Sequence, residues 1–146
     1  MSEIHSEWLQ LENGPRAWYA RPGGNGPHPG VVIFIEAFGV NSHFQEVAER
    51  FARAGYCAIV PDLYHGKVYE YADFENAIAH LKTLKDDLAM QEAGLAIAEL
   101  QKRPEVMKHA IGAVGFCMGG RFAFMANAVH ADKIGASVAF YGGGIA

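Results

Sequence analysis

Short unbroken apolar runs alternate along the chain with longer stretches of helical periodicity, which predicts a sheet wrapped by helices. Val31-Val32-Ile33-Phe34-Ile35 has the pattern of a parallel strand buried on both faces. Tyr56 to Val60 is the next such run, and Pro61 stops it. Between them Phe44, Val47, Ala48 and Phe51 recur at helical spacing. Ser42-His43-Phe44-Gln45 fits a capping box with Ser42 as N-cap, and Gly55 falls where a left-handed C-terminal cap is expected. Phe74 to Leu84 and Leu88 to Leu100 read as helices, with Pro104 beyond the second. Ile111 to Phe116 reads as a strand, Arg121 to Val129 as a helix and Ile134 to Tyr141 as an apolar strand. Near the N-terminus, Trp8 to Leu11 and Ala17 to Ala20 flank Glu12-Asn13-Gly14-Pro15, whose Asn-Gly predicts a β-hairpin. Strand–helix–strand units in series imply an α/β fold: a mostly parallel sheet with right-handed crossovers and flanking helices. No repeat or linker divides the chain, so residues 1–146 read as a single domain.

The chemistry gathers at Gly115-Phe116-Cys117-Met118-Gly119. A strand precedes it and a helix follows, the context of a nucleophile elbow with cysteine in place of serine. So sharp a turn strains the central residue and brings neighbouring backbone close, which favours glycine at the flanks. It also sets Met118 at the first turn of a helix, where unpaired N–H groups favour a thiolate and an oxyanion. The bland reading of Cys117 is a buried structural cysteine in a glycine-rich turn. Glu36, directly after the run 31–35, must emerge at the C-terminal edge of a central strand, where ligands bind in open α/β sheets. Taken alone, it is equally a strand-end carboxylate pairing with a nearby Lys or Arg.

The bulk numbers narrow the class. With 146 residues, 51% hydrophobic and 19% charged, the chain is globular. A net charge of −4 gives no reason to expect nucleic acid or an anionic membrane as partner. No window is apolar enough to span a bilayer, and Met1 to Gln10 is not a signal peptide. Two cysteines make no disulfide framework, so a reducing, cytoplasmic location is expected, and neither cofactor nor metal is called for.

Four stretches carry a resemblance to the dienelactone hydrolase family: Glu36 to Asn41, Ala58 to Tyr64, Gly115 to Gly120 and the closing Tyr141-Gly142-Gly143. The resemblance implies an α/β-hydrolase-type fold and hydrolysis of a small lactone or enol ester through a thioester. It implies Cys117 as nucleophile, Glu36 as the carboxylate that bonds the resting thiol, and an oxyanion hole from the amides of Met118 and Ala37. It also implies a triad Asp and His beyond the strand that ends at Tyr141. This chain has neither there, so its C-terminal strands and helices are expected to be missing, and a complementing C-terminal segment or a homo-oligomer is expected as partner. Of the seven histidines, His130 would lie roughly 18 Å along the helix from Cys117, too far to act as a base. His43 and His65 are the only possible substitutes. After Tyr64 the chain offers Lys67 but no arginine until Arg103, where the resemblance implies an arginine for a substrate carboxylate. Tyr64, Tyr69 and Tyr71 are candidate pocket residues or simple surface packing, and Cys57 is expected in the core. Two other readings stand beside the hydrolase: a non-catalytic truncated paralogue or interaction module, and a thiol redox sensor acting through Cys117.

Overall fold

In the computed structural model, which describes residues 3–24 and 26–140, six strands and four helices form one mixed α/β layer structure. Tyr141-Gly142-Gly143, part of the family resemblance, lies outside the described residues. The strands are β1 (Ile4–Gln10), β2 (Arg16–Pro22), β3 (His28–Phe34), β4 (Cys57–Pro61), β5 (Val106–Phe116) and β6 (Ala136–Phe140). The helices are α1 (Ser42–Arg53), α2 (Phe74–Leu81), α3 (Asp86–Lys102) and α4 (Met118–Val129). The sheet order is β1-β2-β4-β3-β5-β6. β1 and β2 form the predicted antiparallel hairpin, and β2 meets β4 antiparallel. β4, β3, β5 and β6 run parallel.

From β3 the chain crosses one way to β4, and from β4 it crosses back past β3 to β5. Right-handed crossovers then place α1 on one face of the sheet and α3 and α4 on the other. α3 and α4 accordingly touch: Arg121 bonds Asp86, and His130 Nε2 lies 2.9 Å from the Met90 carbonyl. β3 and β4 are covered on both sides, and every residue of β4, Cys57 included, is buried. Phe44 and Ala48 of the predicted apolar stripe are buried, with Val47 and Phe51 packed against the same core.

Several boundaries differ from expectation, each for a physical reason. The N-cap of α1 is Asn41, not Ser42: Asn41 Oδ1 accepts from the Phe44 N–H at 3.1 Å, and Ser42 is the first helical residue. Gly55, at φ 102°, does follow the last turn. α3 starts at Asp86, where Asp86 and Asp87 suit the positive end of the helix. α2 stops at Leu81, and the Thr83 hydroxyl ties off the His80 carbonyl at 2.6 Å. β5 starts at Val106, and its register against β3 jumps from Pro29↔Met107 to Gly30↔Ile111, so the irregularity hides the strand's first half from any periodic pattern. α4 starts at Met118, where the elbow sets its first turn, three residues before the periodic run that begins at Arg121.

Among the described residues β6 is an edge strand. The α4 side of it is occupied, with the Ser137 hydroxyl on the Ala123 carbonyl at 2.7 Å. Its other side opens on an apolar groove of about 520 Å³ whose walls include Val31, Phe51, Tyr56, Val114, Val138 and Phe140. Val138 is 49% exposed and Phe140 43% exposed. An uncharged, apolar edge is a template for pairing with another strand. In sedimentation the 146-residue chain should therefore self-associate, and Val138→Lys should weaken the association about tenfold, or ~1.4 kcal/mol. A monodisperse 15.9 kDa wild-type monomer would contradict this.

Candidate active site

The site forms where the crossovers diverge. β3 sends its chain to one side and β5 to the other, so the crevice beyond their C-terminal ends is the switch point of the sheet. The two strands end in register, Phe34 opposite Gly115. Glu36 and Cys117 each follow two residues beyond that pair, so both leave the sheet at the same level of the same crevice. Ile35 and Ala37 are buried, and Glu36 between them is half-buried. None of the ion pairs among the described residues involves Glu36, which weakens its reading as a strand-end partner of Lys or Arg.

Cys117 occupies the turn with φ 57° and ψ −121°, a left-handed backbone that a non-glycine residue adopts only under strain. It is exposed, and Cys57 is buried. The two glycines of the motif have separate reasons. A Cβ on Gly115 would collide with the Gly119 carbonyl inside the turn, and a Cβ on Gly119 would collide with the Phe34 and Ile35 carbonyls at the end of β3. The start of α4 is thus seated directly on the end of β3, which brings the Ala37 segment beside the turn. Met118 opens the helix, so its N–H has no intrahelical acceptor. Among the described backbone bonds outside helices and strands, Ala37 N–H donates to none. The Cys117 N–H donates to the Phe140 carbonyl at 2.6 Å, which fixes the turn to β6.

Two loops wall the crevice. Gly39, at φ 89°, lets the 36–41 loop pass so close to the Lys67 carbonyl that no Cβ fits, and the Tyr69 N–H donates to the Phe38 carbonyl at 3.0 Å. The second loop is shaped by buried Asp62, which accepts from Arg16 Nε at 2.9 Å, the Gly66 N–H at 2.8 Å and the Tyr64 N–H at 3.2 Å. Tyr64 lies flat on the His80 ring, 4.0 Å between centroids, and the Tyr69 hydroxyl and His80 Nδ1 share a 2.8 Å hydrogen bond. Burial pushes the Tyr64 hydroxyl far above its ordinary pKa, and charge on Tyr69 and on Cys117 adds to the effect. His80 is pushed down, first by burial, then by the charges of Lys67 and His65.

None of the candidate bases is hydrogen-bonded to Cys117; each has another neighbour. His65 Nε2 is bonded to the buried Glu92 at 2.7 Å, in a cleft beside the hairpin turn. His43 packs edge-on against Phe44 in the first turn of α1. His130 closes the far end of α4. Among the described residues no group of three His, Cys, Asp or Glu could share a metal ion. No helix there is long and apolar enough to cross a membrane. One contributor escaped the sequence reading. Arg121, in the first turns of α4, forms a two-pronged pair with Asp86, both bonds 2.6 Å, and braces the elbow helix against the start of α3. Only its position directly after Gly120 hinted at this.

Comparison with known proteins agrees with the geometry. The dienelactone hydrolase family model matches residues 16–146. A Synechocystis protein that carries the name carboxymethylenebutenolidase is 34% identical over 88% of this chain and 54% of its own length. One from Escherichia coli K12 is 34% identical over 91% of this chain and 49% of its own. The crystal structure of a Klebsiella pneumoniae protein that carries the name dienelactone hydrolase superposes with a TM-score of 0.85 at 30% identity, over 96% of this chain and 60% of that one. The chain spans about half the length of the curated relatives it matches.

The Arg121–Asp86 brace has a pH signature. The guanidinium holds the Asp86 carboxyl below its ordinary value, against a smaller opposing push from burial. A depressed folded pKa contributes stability above the usual carboxylate range, and that stability is lost as pH falls through the depressed value. Asp86→Asn should therefore lower the melting temperature at pH 7 by roughly 2–4 °C, a modest figure for a partly exposed pair. The gap to wild type should close on acidification below pH about 4. A gap that persists unchanged at pH 3 would show that the pair is not the cause.

Proposed function

This chain belongs to the dienelactone hydrolase family, and we propose that Cys117 is its nucleophile in the hydrolysis of a small ester or lactone. The observation that carries the reading is the shared level of Glu36 and Cys117 at the switch point, with the cysteine alone exposed on a strained turn. The thiolate of Cys117 attacks the substrate carbonyl carbon, and the negative oxygen that develops is met by the N–H groups of Met118 and Ala37. The carbon–oxygen bond to the alcohol breaks, and the alcohol leaves with a proton. Water then cleaves the thioester, releasing the acid and restoring the thiol. Glu36 is assigned the role of holding the resting thiol and helping to form the thiolate when substrate binds; it lies at the level of Cys117, although no hydrogen bond joins the two side chains in this structure.

The reading assigns residues 1–146 to one incomplete hydrolase domain. No histidine among the described residues is hydrogen-bonded to Cys117, and a second polypeptide segment, or another copy of the chain, seated at the β6 edge would supply the missing base. The open groove and the fraction of the relatives' length covered here support that assignment.

Iodoacetamide should label Cys117 at least about tenfold faster than Cys57 in the folded chain, an exposed turn against a buried strand. Equal rates at the two positions would remove the basis for a nucleophile. Turnover of p-nitrophenyl acetate by the chain alone should fall on the order of 10⁴ to 10⁶ below that of a complete triad enzyme, because triad members act as a unit. Robust turnover by a preparation whose intact mass shows only this chain would mean that a base lies within it.

A further inference from the structure

We infer that the site prefers an uncharged ester or lactone bearing an aromatic or similarly flat apolar group, seated against Phe38, Tyr71 and Phe74, and disfavours an anionic substrate. This rests on the reading of Cys117 as nucleophile. Phe38 follows Ala37, the proposed oxyanion donor, on the crevice wall. Its ring meets Tyr71 edge-on, 4.8 Å between centroids, and Phe74 at 6.3 Å. Tyr71 is 60% and Phe74 58% exposed, so the cluster offers ring surface that the core does not use. The cluster is also held in place. The Tyr69 N–H to Phe38 carbonyl bond, the fit of Gly39 against Lys67 and a 3.4 Å contact from Asn41 Nδ2 to the Tyr71 hydroxyl tie the two loops together. Tyr64 and Tyr69 pack edge to face, 6.0 Å between centroids, and the Tyr69 N–H holds the Phe38 carbonyl. Rings arranged this way accept a further ring edge-on or offset.

Charge points the same way. Asp62 is spoken for by Arg16. The remaining formal charges of residues 36–41 and 62–75 are Glu36, Glu70, Asp73 and Glu75 against Lys67 alone, with His65 held by Glu92. A substrate carboxylate entering beside Phe38 meets a negative rim and no guanidinium from these loops, and like charges across an interface select against a partner.

The chain itself can test this without turnover, because an iodoacetamide reports binding next to Cys117 when sulfur displaces iodide. Three probes suffice: iodoacetamide, N-benzyl iodoacetamide and N-(4-carboxybenzyl) iodoacetamide, each rate divided by that of free glutathione. For Cys117 the benzyl probe should gain about five- to tenfold over the plain amide, the scale of one or two aromatic contacts. The carboxybenzyl probe should lose most of that gain. Phe74→Ala, and independently Tyr71→Leu, should lower the benzyl-to-plain ratio toward that of glutathione, and Glu70→Gln with Glu75→Gln should raise the carboxybenzyl rate. If plain iodoacetamide labels Cys117 no faster than Cys57, the nucleophile reading fails. If Cys117 is reactive but wild type shows no benzyl gain, or the carboxylate probe is favoured, the substrate inference is overturned while the nucleophile stands.

Discussion

The seat of α4 on the end of β3 is the constraint on which the rest of the site depends. A helix and a strand end cannot approach that closely with a side chain between them, and Gly119 removes it. Gly115 lets the turn fold back under the helix in the same way. Once those two contacts are made, little freedom remains. The cysteine must take a left-handed conformation, its side chain must leave the sheet, and the segment after β3 must run beside it. The strain at Cys117 is the local cost of that arrangement, held by the packing of α4 against β5 and β6 and by the Arg121–Asp86 brace.

Much of this was legible in the chain because it is written over short distances. The runs 31–35 and 56–60 mark the buried parallel strands β3 and β4, although β4 is shifted one residue to Cys57–Pro61 and includes the expected stop Pro61; the helical stripe of 44–51 faces the core, and the hairpin forms around Asn13-Gly14. The elbow was readable for the same reason: strand, motif and helix are contiguous. The misses came from competition or from distance. Asn41 and Ser42 are both good caps, and only geometry chose between them. Gly119 looks like a helix breaker, and only the proximity of β3 shows why no larger residue stands there. Arg121 with Asp86, Arg16 with Asp62 and His65 with Glu92 join residues tens of positions apart, and nothing local announces such pairs.

The opposite end of the sheet shows what a purely structural polar cluster looks like in the same molecule. Tyr19 donates to Glu105 at 2.8 Å, Arg103 lies over the Tyr19 ring and bonds Glu99 at 2.9 Å, and Cys57 sits buried beside them. Burial pushes the Cys57 thiol up, with the Tyr19 hydrogen bond opposing it. Its polar groups are mutually satisfied, in keeping with a closed network. The crevice at the switch point differs in kind. There Glu36 has no ionic partner among the described residues, the Met118 amide has no intrahelical acceptor, and aromatic surface stays bare.

The bond from the Cys117 amide to the Phe140 carbonyl gives the molecule an uneven cooperativity. β3 and β4 are enclosed on both faces, whereas β6 has one covered face and an open edge. In native-state hydrogen exchange, strands of the first kind open only with global unfolding, and strands of the second kind fray on their own. Here the strand with the open edge, among the described residues, is fastened to the turn at Cys117 through the turn's own backbone. A local opening of β6 would therefore remove one of the bonds that hold the turn, while the seat of α4 on β3 would remain.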